Sequence, residues 1–283
     1  MDFGITTYEG LTEKYFIFPV VKQQVLPGTK FKDPKIYIGL GQWGRTEWIG
    51  KLYPKHTRQK DVLIHYARRF NSVELNATHY KITPIEVIKK WKEKAANEDF
   101  LFCPKMYSGI THRGSLKGKA FHLKKFLDSV SAFGGNLGPI FIQIGETFSP
   151  NRINELIDFL KALPATFTFF LELRHQNWFS KHSLFHELQK ALEELKIGLV
   201  ITDAPNRRDL VHMQLTIPEV FIRFVCFGDN ELDRFRIRQW KVQLNEWFQN
   251  GLRSCYFFIH PQNEVAAIDF AKFVQEELES CTL

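Results

Sequence analysis

The amino-acid sequence reads as a (β/α)8 barrel, on three grounds. Eight runs rich in apolar, β-branched and aromatic residues recur along the 283-residue chain. Amphipathic stretches of helical spacing separate them, the pattern of repeated βαβ units. The span 36–283 has the length of an ordinary barrel, about 250 residues. An open doubly wound sheet is the alternative, but eight rounds with a helix after the last strand favour closure.

The elements follow in order. Residues 1–35, broken by Pro27, Gly28 and Pro34, stand outside the rhythm and are read as an N-terminal extension packed on the barrel; residues 36–283 form the single barrel domain. Strand one is KIYIGLG (35–41), and an amphipathic stretch at 60–69 leads to strand two, FNSVELNATHY (70–80). Pro84 sits where a first-turn proline suits a helix over 84–96. Strand three, FLFCPKMY (100–107), is followed by a helix over 119–133 and strand four, GPIFIQIG (138–145). Ser149 and Pro150 open a helix over 150–162. Strand five, FTFFLELRH (167–175), precedes a helix over 182–195 and strand six, KIGLVITDAP (196–205). The connection NRRDLVHMQLTIPE (206–219) carries no long helical pattern and is the weakest unit. Strand seven, VFIRFV (220–225), a helix over 231–249, strand eight, CYFFIHP (255–261), and a helix over 262–279 opened at Asn263 complete the cycle.

Composition bounds the function classes. With 44% hydrophobic and 14% aromatic residues the chain can bury a large core. No run approaches the ~18 uninterrupted apolar residues of a membrane span, and the N-terminus lacks a basic region followed by an apolar one. A cytoplasmic protein without membrane attachment is the expectation. The four cysteines, Cys103, Cys226, Cys255 and Cys281, are far apart and form no Cys-x-x-Cys pair, as suits reduced residues without a metal spacing. The net charge of +7 admits nucleic acid or another polyanion as partner, yet the densest basic groups, RIRQWK and NRRD, lie beside acids and read as solvated faces. Nothing in the sequence sets an oligomeric state.

Successive strand side chains point to opposite faces, so parity divides each strand into helix-facing and barrel-facing sets. In strand five Leu171 and Leu173 oppose Glu172 and Arg174; in strand two Val73, Leu75 and Ala77 oppose Glu74, Asn76 and Thr78. Lys105, Gln143, Asp203, Arg223 and His260 are the polar members from strands three, four, six, seven and eight. All fall in the second halves of their strands, the end where barrel enzymes build their sites. Unpaired buried charges cost several kcal/mol each, so the set must pair, bind a ligand, or both. Glu74, Glu172 and Asp203 balance Lys105, Arg174 and Arg223, which favours an ion-pair network over a bulk anion trap.

These segments resemble the family catalogued as domain of unknown function 72, also called YecE-like, from about residue 36 to the C-terminus. FNSVELNATHY is similar to its F-N-x-V-E-x-N-x-T-F-Y segment, LELRHQNWF to its V-E-F-R-H-x-S-W segment, and CPKMYSGITH, LGPIFIQIGETF, TDAP and FIRF follow in the family's order. The resemblance implies a (β/α)8 barrel and no established activity. It marks Glu74, Asn76, Tyr80, Lys105, His112, Gln143, Glu172, Arg174, His175, Trp178, Asp203 and Arg223. Three departures stand out. GLGQWG replaces G-T-S-G-W after strand one, RFVCFG lacks the histidine-glycine that commonly follows the strand-seven arginine, and FIHPQN offers His260 and Asn263 in place of paired asparagines.

Other patterns have plainer readings. GLGQWG matches G-x-G-x-x-G formally, but RTEWIGKLYP supplies no helix and no acid ends strand two, so the glycines are read as letting the backbone turn at the mouth. The sequon Asn76-Ala77-Thr78 lies within a strand and is chance. A divalent metal on His79, His112, His175 or His260 with Glu74, Glu172 and Asp203 is the minor alternative, because the cations already compensate the carboxylates and His79 and His175 have helix-facing parity. No metal and no organic cofactor are expected. Lys105 is open to two readings, a Schiff-base lysine or a partner of Glu74 or Glu172. Trp43, Tyr80, Tyr107 and Trp178 stand near strand ends as stacking walls or as packing under loops.

The expectation from the residues is an enzyme acting on a small polar, anionic metabolite by general acid–base chemistry, as a hydrolase, lyase or isomerase. Glu172 or Glu74 transfers the proton, with Lys105 and His112 as acid or electrostatic partners. Arg174 and Arg223 clamp oxyanion groups, and Gln143, Asn76 and Tyr80 orient the ligand, with Asp203, His175, Trp178 and His260 around it. Two alternatives come from other classes: nucleic-acid binding or metal-assisted phosphodiester processing, and a ligand sensor without catalysis.

Overall fold

A computed structural model describes residues 10–180, 182–226, 230–263 and 267–282. Residues 1–9 of the extension, 227–228 of the RFVCFG stretch and 264–266 of the last helical pattern lie outside the described residues. Eight parallel strands run in the order β3-β2-β1-β8-β7-β6-β5-β4: β1 (Lys35–Leu40), β2 (Ser72–Leu75), β3 (Leu101–Pro104), β4 (Ile140–Ile144), β5 (Phe169–Leu173), β6 (Gly198–Asp203), β7 (Glu219–Cys226) and β8 (Ser254–Pro261). Isolated bridges Phe102–Leu137 and Lys105–Phe141 join the two ends into a barrel. At this seam Gly138 donates to the Phe102 carbonyl at 2.8 Å, and a Cβ on it would stand 2.6 Å from Cys103 Sγ. Only glycine allows the strands to close there.

The longer helices are α1 (Val62–Tyr66), α2 (Ile85–Ala95), α3 (Ala120–Val130), α4 (Ile153–Lys161), α5 (His182–Leu195), α6 (Glu231–Gln249) and α7 (Ala267–Glu279). Their apolar faces cover the outward residues of the strands, among them Ile38, Val73, Leu171, Ile201 and Ile222. No helix among the described residues is long and apolar enough to cross a membrane.

Inside the barrel, Cys103, Phe141, Phe170, Val200, Phe221, Tyr256 and Phe258 form a separate apolar plug. Two residues further along each strand the same inward parity gives Lys105, Gln143, Glu172, Thr202, Arg223 and His260, with Glu74 from β2. A polar layer therefore sits on an aromatic floor at the C-terminal end.

Strand two is shorter than its sequence implies. Extended pairing ends at Leu75; Asn76 turns into helical backbone and Ala77–Tyr80 makes one helical turn. Thr78 Oγ1 fixes this turn by contacts of 2.9 Å and 2.8 Å to the carbonyls of Leu75 and Lys105. Parity does not extend across such a turn, so the helix-facing assignment of His79 fails, and its Nδ1 instead lies 2.8 Å from the Met106 carbonyl.

The connection from β6 to β7 holds one short 3-10 turn, Arg208–Leu210. The extension covers that side. Phe16 is fully buried, its carbonyl accepts from Arg208 and from Gln239 of α6, and the Phe18 ring packs tilted against Trp240 with centroids 4.5 Å apart. Gln23 bonds to Met213 O at 2.5 Å and to Leu215 N at 3.0 Å, tying the extension along the connection.

Candidate functional site

Arg223 is the centre of the polar layer. It is wholly buried on β7, with Nε 2.8 Å from Glu74 Oε2, Nη2 2.9 Å from Glu74 Oε1, and Nη1 2.9 Å from Glu172 Oε2. Both carboxylates are thus fixed by one guanidinium fork. Each has further donors. Glu74 receives Asn76 Nδ2 at 2.9 Å and stands 2.9 Å from His260 Nε2, while Glu172 receives Gln143 Nε2 at 2.7 Å, Thr202 Oγ1 at 2.9 Å and Arg174 Nη1 at 3.3 Å. Gln143 turns its amide oxygen to Lys105 Nζ at 2.8 Å, so one side chain links the lysine to the carboxylate. The guanidinium of Arg223 and the ammonium of Lys105 also lie 5.3 Å and 5.7 Å from the Phe141 ring centroid, on the floor below.

The electrostatics follow from these partners. Burial pushes the Glu172 carboxyl up, but Arg223, Arg174 and Lys105 outweigh it and hold it at about 2. Glu74, pushed up by burial in the same way, is brought well below the carboxylate range by Arg223 and His260. Lys105 moves the other way: burial and the neighbouring Arg223 bring its amine down to about 8, against the pull of Glu172 and Glu74. The layer contains three cations, Lys105, Arg174 and Arg223, against the two carboxylates.

Asp203 is not part of this layer. It follows Thr202, so it faces outward, away from the plug to which Val200 belongs. It is buried between Arg236, 2.8 Å away, Arg208, and Trp240 Nε1, 2.8 Å away. Burial raises its carboxyl, yet Arg236 and Arg208 bring it to about 2. Asp203 anchors α6 and the β6–β7 connection, and Thr202 takes the inward place expected of it. The balance of three against three drawn from the sequence therefore becomes one extra cation in the layer.

Other sequence-marked residues are distributed around the rim. His112 is exposed, its ring 4.8 Å from that of His79, and burial together with Lys105 lowers the pKa of both imidazoles, His79 to about 4. Tyr80 is 70% exposed and meets His79 ring edge to face at 5.6 Å. His175 accepts from the Asn177 amide at 3.1 Å, capping the single turn Asn177–Ser180. Trp178 is fully buried, with Nε1 3.1 Å from the Phe148 carbonyl, and packs beneath a loop. Neither His175 nor Trp178 joins the charged layer. Gly41 contributes by what it lacks, since a Cβ there would stand 2.9 Å from His260 Cε1. Gly41 also stands at a bend directly after β1, so close approach adds to the turn its motif implied.

Sequence reasoning missed Thr202, Arg207 and Glu146. Thr202 was accessible by counting two residues from Val200; Arg207 and Glu146 lie in loops, where no periodicity marks them. Among the described residues no group of three or more His, Cys, Asp or Glu side chains converges as a metal site.

Three comparisons place this geometry among known proteins. The family model described as "Protein of unknown function DUF72" matches residues 37–282. The UPF0759 protein YecE of Escherichia coli (strain K12) is 29% identical over 261 residues, covering 86% of this chain and 92% of that protein. The UPF0759 protein YunF of Bacillus subtilis (strain 168) is 30% identical over 152 residues, covering 51% of this chain and 52% of that one. Among solved structures, a DUF72 family protein of Enterococcus faecalis V583 superposes with a TM-score of 0.68 at 19% identity, covering 88% of this chain and 99% of its own. A DUF72 family protein of Thermotoga maritima MSB8 gives 0.61 at 20% identity, covering 85% and 99%. At such identities the structural likeness concerns the fold alone.

Proposed function

The chain belongs to the DUF72 family, whose description assigns no activity, and from that premise we propose that it is an enzyme acting on a small anionic metabolite at the C-terminal mouth of the barrel. The observation that carries this reading is the composition of the buried layer: three cations and two carboxylates, fixed by hydrogen bonds, at the end of the barrel where sites are built. A layer with one cation in excess gains from an anion; an apolar layer would fill a structural barrel at lower cost.

The directions of the pKa values divide the roles. Glu74 and Glu172 are held ionised, which makes them weak bases and poor acids near neutrality. They serve as the rigid acceptors that position Arg223, Gln143 and Arg174. Lys105, with its amine at about 8, is matched to proton transfer near neutral pH, and His112 and His79, whose imidazoles are lowered by burial and by Lys105, stand at the rim as hydrogen-bonding groups. Hydrolysis, elimination and isomerisation are all consistent with a cationic acid beside an anion clamp.

The test is substrate consumption. Purified protein is incubated with mixed small carboxylic acids and phosphate esters, and the mixture is followed by mass spectrometry. The expected result is loss of one or a few anionic compounds, abolished by Lys105→Met without loss of the folded state. Retention of a compound that is returned unchanged in every mixture would instead favour a sensor.

A further inference from the structure

We propose that Arg174 and Arg207 form a subsite for a carboxylate group of the ligand, and that Glu146 occupies it from within the chain until the ligand displaces it. This rests on the anionic-ligand reading above and adds the part of the mouth that receives the charge.

Three neighbouring C-terminal loops supply the residues. Glu146 follows β4, Arg174 follows β5 and Arg207 follows β6. Both arginines are pinned on one side. Arg174 directs Nη1 to Glu172 at 3.3 Å; Arg207 binds Asp209 through Nε at 2.9 Å and Nη2 at 2.7 Å, and Nη2 also donates to the Arg174 carbonyl at 2.9 Å. Nη2 of Arg174 and Nη1 of Arg207 converge on a single oxygen, Glu146 Oε1, at 3.5 Å and 3.9 Å.

The three side chains are unequal in burial. Those of Arg174 and Arg207 are 9% and 16% exposed, whereas that of Glu146 is 65% exposed. Two oriented, largely desolvated guanidinium groups thus share one loose, solvated counter-ion. A long, exposed ion pair contributes little and is readily exchanged, while a ligand carboxylate seated between two pre-oriented forks makes charge-assisted bonds without ordering either arginine. The place of Glu146 Oε1 shows that a carboxylate oxygen fits between the two groups.

The subsite also orients the ligand. Arg174 shares Glu172 with Gln143, and Gln143 holds Lys105, so a molecule anchored on the arginine pair extends over Glu172 and Gln143 toward the lysine. Arg223, by contrast, is wholly buried and spans both carboxylates, which makes it a scaffold for the clamp.

The experiment is calorimetric titration of the full chain with malonate, and in parallel with inorganic phosphate, at low ionic strength. For Glu146→Gln the expected result is malonate binding about two- to fivefold tighter than wild type, the range set by removing a competing exposed ion pair. Arg207→Met is expected to weaken malonate by about tenfold or more, and the gain from Glu146→Gln is expected to vanish in the Arg207→Met background. Glu86→Gln, which removes another exposed carboxylate, on α2, controls for net charge and leaves affinity unchanged. Phosphate binding more tightly than malonate, with the same dependence on Arg207, would replace the carboxylate by a phosphate group and overturn the ligand class. Affinity unaffected by Glu146→Gln and Arg207→Met but abolished by Lys105→Met would overturn the clamp while leaving an anion on the buried layer. No binding of either anion to wild type or any variant would count against the anionic-ligand reading itself.

Discussion

At the scale of single residues, the buried layer is an arrangement in which each charge depends on another. Replacing Arg223 by Met leaves Glu74 and Glu172 without their shared fork, so we expect a loss of about 3–5 kcal/mol in denaturant unfolding, the usual penalty for orphaning a buried ion. Thr202→Val removes one neutral donor from Glu172 and is expected to cost about 1 kcal/mol. Equal small losses for both would mean that the charges are solvated and the layer is not the network described. Much of this was legible in the sequence, because a period of two needs only a correct strand: Glu74, Lys105, Gln143, Glu172, Arg223 and His260 all face inward as read. Asp203 was misplaced because its charge and its position at a strand end outweighed its parity, while Thr202 carried no charge to attract notice.

At the scale of elements, the N-terminal extension and the β6–β7 connection complete one another. The connection lacks a helix, and Phe16, Phe18 and Gln23 cover it together with α6. Phe16→Ala is expected to cost about 3–5 kcal/mol, as for other fully buried phenylalanines, and to raise proteolytic cleavage within 206–217. Destabilisation below ~1 kcal/mol, with unchanged cleavage, would show the extension to be a loose appendage. The sequence revealed the missing helix and the unassigned extension separately. Their match was not legible, because it depends on tertiary contacts about 190 residues apart, such as Gln23 with Met213. The end of β2 was hidden for a related reason: FNSVELNATHY alternates well enough for a strand, and the turn at Asn76 is fixed by Thr78 bonding the Lys105 carbonyl just past the end of the next strand.

At the scale of the whole molecule, pH reads both charge clusters at once. Glu172 and Asp203 are held at about 2 in the folded protein, below their ordinary values of 4.5 and 3.8. A depressed carboxyl contributes stability that is present above its unfolded pKa and is lost as the pH falls through the folded one. We therefore expect urea unfolding to weaken first as the pH falls from 7 toward 5, where His79, held at about 4 in the folded protein, gains a proton only when unfolded, and to weaken further from about pH 4.5 toward pH 2 as the carboxylates are protonated; a midpoint that holds constant to pH 2.5 would contradict it. Burial in the polar layer, with Arg223 beside it, is what tunes Lys105 for proton transfer. The decisive measurement is titration of Lys105 by nuclear magnetic resonance, with its signal assigned by comparison with Lys105→Arg. The expected midpoint is about 8, and one at or above the ordinary 10.5 would overturn this reading of the layer.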